Sequence, residues 1–131
     1  MSLLKNISGI FKKSDVLDLA KEFKLEYEAG NMENMKSIVD KFVDHYPDSY
    51  YASCSMVIYV ILLYNEDPLK VPPNRLNNLS IMERNIRYFD KSSTESLDSE
   101  ELELRQWYRS EVDKNVKFME STGFRFSSDD K

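Results

Sequence analysis

The sequence predicts an all-α domain of about five helices, and three observations predict it. Apolar residues recur at three- and four-residue steps along most of the chain, the period of a helix with one buried face. Only 3 glycines and 4 prolines punctuate 131 residues, too few turn formers for a β-sandwich. Those breakers, together with Asn, Ser and Asp residues suited to N-caps, fall between the periodic runs. The expected arrangement is a set of antiparallel helical hairpins, forming a right-handed stack or an irregular bundle.

Ser14 or Asp15 is the expected cap of the first helix, with Asp18 in the first turn where the helix dipole favours a carboxylate. Val16, Leu19, Ala20, Phe23 and Tyr27 form its apolar stripe, and Gly30 ends it by supplying a left-handed turn. At about 15 residues it would be roughly 22 Å long. Asn31 caps the second helix, whose stripe is Met32, Met35, Ile38, Val39, Phe42, Val43 and Tyr46, and Pro47 stops it. The Gly30-Asn31 link is so short that the two helices must pack as an antiparallel hairpin.

Asp48 or Ser49 caps a third helix reading from Tyr50 to Tyr64. Its second half carries no charge and is apolar on every side, which predicts a central helix covered by its neighbours. A buried strand has the same composition. A helix is favoured because the proline-preceded start and the small residues Ala52, Ser53 and Ser55 continue one long element. Residues 65–73 hold three prolines within six positions and read as a loop. The fourth helix starts about Asn74 with Leu76, Leu79, Met82, Ile86 and Phe89 inward, and Asp90 to Ser96 reads as a flexible break. Asp98 followed by Glu101 resembles a capping box, with Leu97 as staple, for a fifth helix of about 22 residues. Leu104, Trp107, Tyr108, Val112, Val116 and Met119 trace its apolar face to Gly123. The domain plan is a basic segment over 1–13, a single helical domain over 14–123 and a tail over 124–131.

Tyr27 near the end of the first helix, Gly30 at the turn and Pro47 seventeen residues later share one spacing pattern. With them the stretch from about Leu19 to Tyr51 resembles a tetratricopeptide (TPR) repeat. Phe23, Met35 and Phe42 stand where that motif has small residues, and the proline-rich loop replaces the glycine turn of a second repeat. The resemblance implies a scaffold that binds a peptide or protein, with Lys24, Tyr27, Tyr50 and Tyr51 lining its groove. Tyrosine suits such a surface because it offers large area and a hydroxyl at low entropy cost.

Net charge is −5, which argues against nucleic acid, since phosphate binding needs a basic footprint, and suits a protein partner of basic character. The charge is uneven. Residues 1–13 carry three lysines and no acid, and residues 68–91 carry five bases against two acids. Among those bases, Arg75, Arg84 and Arg87 with Lys70 and Lys91 read as a small basic face, solvated or meeting an acidic protein or a phosphate. Residues 92–131 carry ten acids against six bases, with Glu100, Glu101 and Glu103 clustered where a helix dipole accounts for them.

Catalytic chemistry is poorly supplied. His45 is the only histidine and Cys54 the only cysteine, nine residues apart on different helices, and both read as structural or surface residues. No glycine-rich phosphate loop exists, no cofactor or metal set is apparent, and the apolar stripes contain no carboxylate. The longest apolar run, Met56 to Tyr64, is far short of a membrane span, and no signal-peptide pattern opens the chain. Leu3, Leu4, Ile7, Ile10 and Phe11 share one face beside lysines, a marginal interfacial anchor better read as frayed or self-packing. The expectation is therefore a cytoplasmic, non-enzymatic binding protein for a cognate partner, of the immunity, antitoxin or secretion-chaperone kind. The alternative is a small regulatory or enzymatic subunit completed only within an assembly.

Overall fold

Three side chains fix where helices begin. Asn31 Oδ1 accepts the backbone N–H of Asn34 at 3.0 Å, Ser49 Oγ that of Ala52 at 3.0 Å, and Asp98 Oδ1 that of Glu101 at 2.9 Å. Each satisfies a donor that the first helical turn leaves without an intrahelical partner. Of the candidates weighed between Asp48 and Ser49, the hydroxyl of Ser49 is the one that caps.

The computed structural model describes residues 13–91 and 97–126. Five helices are present among them: α1 (Lys13–Ala29), α2 (Met32–His45), α3 (Tyr50–Glu66), α4 (Pro73–Lys91) and α5 (Ser99–Ser121). A short 3-10 turn, Pro68–Lys70, lies inside the proline-rich loop, and no strand occurs among the described residues. The fold is all-α, five helices packed as a bundle.

Some boundaries differ from those expected. Ser14 and Asp15 lie inside the first turn of α1, so neither is its cap; Asp15 still complements the helix dipole there. Pro73, one residue before the expected start, is the first residue of α4, where a missing N–H costs nothing. That helix runs on through Asp90 and Lys91, because a helix docked along an apolar stripe gains from each further turn. The remainder of the expected break, 92–96, lies outside the described residues, as do the basic segment up to residue 12 and the tail beyond residue 126.

The core forms around α3, which packs against all four other helices. Twelve consecutive residues, Tyr50 through Ile61, are buried. Sequence placed the all-round burial in the second half of this helix. The structure buries that half as far as Ile61 and the start of the helix as well, and leaves Leu62, Leu63 and Tyr64 half-buried. Lying first in the helix, Tyr50 and Tyr51 are covered because α4 and α5 both pass that end.

The α1–α2 hairpin closes through Gly30, at φ +73°, with Asn31 N–H donating to Glu26 O at 2.9 Å. A Cβ added at Gly30 meets nothing within 4 Å, so its requirement is conformational and not steric. Phe23 of α1 and Met35, Ile38, Val39 and Phe42 of α2 are buried together with α3. Leu79 and Ile86 of α4, and Tyr108, Val112 and Met119 of α5, complete the core.

Truncating Phe42, which is fully buried, to Ala will cost about 3–5 kcal/mol in urea denaturation. Gly30→Ala will cost about 1–2 kcal/mol through its positive φ. Leu25→Ala, at a position 66% exposed, will fall within about 0.5 kcal/mol of the parent.

Candidate docking cleft

Antiparallel packing brings four helix ends together at one end of the bundle. There the start of α1, the end of α2, and the starts of α3 and α5 enclose an open cleft of about 510 Å³. Val16 and Leu17 form one wall, and Tyr46 and Pro47 of the α2–α3 turn form another. Tyr50 and Tyr51 line it from α3, while Leu97, Glu101 and Arg105 close it from the α5 side. His45, Asp48 and Ser49 stand on the turn side with exposed or half-exposed side chains. The surface is mostly apolar, with a carboxylate and a guanidinium four residues apart on one helix.

Each polar group in the cleft has a definite setting. The Arg105 guanidinium lies 4.1 Å from the centroid of the Tyr50 ring, a cation–π contact that holds it over the opening. The edges of Tyr51 and Phe89 also meet Tyr50, at centroid distances of 5.6 and 5.8 Å. Tyr51 packs against Tyr108 at 5.3 Å, and its buried hydroxyl has no hydrogen-bond partner among the described residues. Burial, and then the Glu101 charge, push the Tyr51 pKa far above its ordinary value. A buried hydroxyl left in this way costs about 1–3 kcal/mol relative to a satisfied one.

Glu101 corrects an expectation. The acidic cluster of Glu100, Glu101 and Glu103 reads from sequence as a first turn that complements the helix dipole, and the apolar stripes as free of acid. In the structure Glu100 and Glu103 are exposed, whereas Glu101 is 7% exposed and faces the cleft. The helical period explains this, because Glu101 shares a face with Leu104, Tyr108 and Val112. Glu111 and Asn115 are likewise buried on the inward side of α5.

Of the residues expected to meet a partner, Tyr50 and Tyr51 line this cleft and Lys24 and Tyr27 do not. The latter two face α5. Lys24 Nζ sits 5.3 Å from the Trp107 ring, and Tyr27 meets Trp107 edge-on at 5.5 Å and stacks on Phe23 at 6.2 Å. The Tyr27 hydroxyl donates to Glu111 Oε1 at 2.8 Å and accepts from Asn115 Nδ2 at 3.3 Å. Burial is the largest cause of its raised pKa, and the Glu111 carboxylate adds to it. Lys24 and Tyr27 thus clamp α1 to α5. Tyr108 reinforces the same joint deeper in, donating to the Ala20 carbonyl at 2.7 Å. At the margin, Lys21 and Glu100 add an ion pair at 2.7 Å.

The cleft also contains residues that sequence reasoning had not assigned to a site. Leu17 lies beside its helix's apolar stripe, and Arg105 interrupts the one on α5. An off-register apolar residue and an in-register cation are the signals that would have found them. His45 is exposed at the cleft, and Cys54 is buried inside α3 away from it, so the two are not brought together. No cluster of three or more His, Cys, Asp or Glu side chains suited to a metal occurs among the described residues. None of the described helices is long and apolar enough to cross a membrane.

No family model, no curated protein and no solved structure matches the chain.

The buried tyrosines make two measurable contrasts. Tyr51→Phe will leave stability unchanged or raise it, since it removes an unpartnered hydroxyl, whereas Tyr108→Phe will cost about 1–3 kcal/mol by denaturant titration. Tyr27, Tyr51, Tyr59 and Tyr108 all have raised pKa values in the folded chain. Unfolded phenols ionise near pH 10 while these stay protonated, so their contribution is complete below that pH and is lost above it. Absorbance titration at alkaline pH will show early phenols followed by a late group that ionises together with loss of helical circular dichroism.

Proposed function

We propose that this protein is a non-enzymatic interaction module that receives a projecting segment of a cognate protein in the cleft at the start of α3. The observation that carries the reading is the apolar cleft set in an acidic surround. Asp48 and Glu101 line it, and the exposed Asp15, Asp18, Asp44 and Asp98 are chain neighbours of lining residues. Arg105 is the single arginine or lysine among the described lining residues. Such a site suits an apolar or aromatic anchor flanked by lysine or arginine. The anchor would be desolvated at the centre, where most binding energy resides, and the charges would steer approach from the rim.

A basic partner fits the −5 charge of the chain, and an immunity, antitoxin-like or secretion-chaperone role is the class of job this chemistry suits. The TPR resemblance supports a binding scaffold, with Gly30 and Pro47 in their expected turns. The docking face proposed here is nevertheless the hairpin's open end and not the side that faces α5. A second reading, a subunit within a larger assembly, draws support from Ile81 and Tyr88, which are 48% and 72% exposed two turns apart on α4.

Selection of random dodecapeptides on the immobilised chain will enrich an apolar or aromatic residue beside Lys or Arg. Fluorescence anisotropy will then show an enriched peptide binding at least tenfold more weakly to Leu17→Arg, and more weakly at high salt, with Leu25→Ala unchanged. Binders indifferent to Leu17→Arg and to salt would overturn the cleft as the docking site.

A further inference from the structure

At the opposite end of the bundle a smaller pocket of about 120 Å³ lies between α2, the end of α3, the 3-10 turn and the start of α4. Three cations converge on it from three separate elements: Lys36 of α2, Lys70 of the 3-10 turn and Arg75 of α4. Tyr59, 6% exposed, lines the same pocket from α3. We infer that this pocket is a binding site for a phosphate-sized oxyanion, held by Lys36, Lys70, Arg75 and the Tyr59 hydroxyl.

Electrostatics carry the argument. Bringing three like charges together raises the free energy of the folded chain unless an anion joins them. Asp40 also lines the pocket and Glu66 pairs with Lys70, so the carboxylates offset two of the three positive charges and leave a surplus of one. Asp40 meets Lys36 at 3.4 Å and Glu66 meets Lys70 at 3.5 Å, both near the 4.0 Å limit for an ion pair and on side chains about half exposed. Such pairs are readily re-aimed. Arg75 makes no ion pair among the described residues; its Nη1 rests 2.9 Å from the Met56 sulfur, a weak acceptor. Its remaining N–H donors supply the fork geometry that suits a phosphate. The pocket lies at the N-terminus of the 19-residue α4 and beside the C-terminal part of α3, whose dipoles act in opposite senses there, so the side-chain charges decide its sign. A water occupies about 30 Å³ of liquid, so the space suits a small ion and not a polypeptide segment. Arg84 and Arg87 of the predicted basic face do not line this pocket, and Arg87 is paired with Glu83 at 3.1 Å.

The test is a two-dimensional amide NMR titration of the full chain with inorganic phosphate, against sodium chloride at matched ionic strength. Saturable shifts confined to Lys36, Tyr59, Lys70, Val71 and Arg75 are expected, with at least tenfold weaker binding in Arg75→Ala and a few-fold loss in Tyr59→Phe. Lys70→Gln supplies a second variant on a surface turn should Arg75→Ala fail to fold. A parallel titration with phenyl phosphate separates the sources: tighter binding than the free ion points to a phosphate carried on a larger molecule, and weaker binding to the free ion. Shifts that do not saturate, that chloride reproduces, or that survive both Arg75→Ala and Lys70→Gln would overturn the site.

Discussion

The structure depends on the need to enclose α3. Tyr50 to Ile61 contains no charged side chain, and its apolar groups point in every direction around the axis. Exposing any side of such a helix to water costs about 25 cal/mol per Å² of apolar surface, so each side must be covered. An α1–α2 hairpin alone cannot do this, because two helices shield only part of a third. The other helices, α4 and α5, supply the missing cover, and the bundle is the result.

How α5 achieves its cover has a further consequence. Its inward face is not purely apolar: Glu101, Glu111 and Asn115 are buried there alongside Leu104, Tyr108, Val112 and Met119. Glu111 and Asn115 are matched by the Tyr27 hydroxyl, and Tyr108 by the Ala20 carbonyl. These hydrogen bonds fix α5 against α1 in one register, since a slip would leave buried polar groups unpaired. The α1 side of the hairpin is thereby filled. Among the described residues, no further helix crosses the end where α1, α2, α3 and α5 meet.

The bundle has two ends of different electrostatic character. The cleft end gathers acids at helix starts, where the dipoles favour them. The other end gathers Lys36, Lys70 and Arg75 around the turn that leads into α4. An overall charge of −5 conceals this division, and average composition says little about what either end would attract.

Sequence alone determined the helices, their approximate limits and the central place of α3, because these follow from short-range causes. Periodicity, caps such as Asn31 and Asp98, and the turn at Gly30 act within a few residues. It also marked Tyr50 and Tyr51 as residues of interest. The helix docking was decided only in three dimensions, and with it the separation of Tyr50 and Tyr51 from Lys24 and Tyr27, the burial of Glu101 and the placing of Lys36 and Arg75 on one pocket. Those outcomes depend on contacts between residues as many as 88 positions apart, such as Tyr108 with Ala20. The helical period says which face of a helix is buried, but not which neighbour buries it, and the neighbours are what shape the cleft and the pocket.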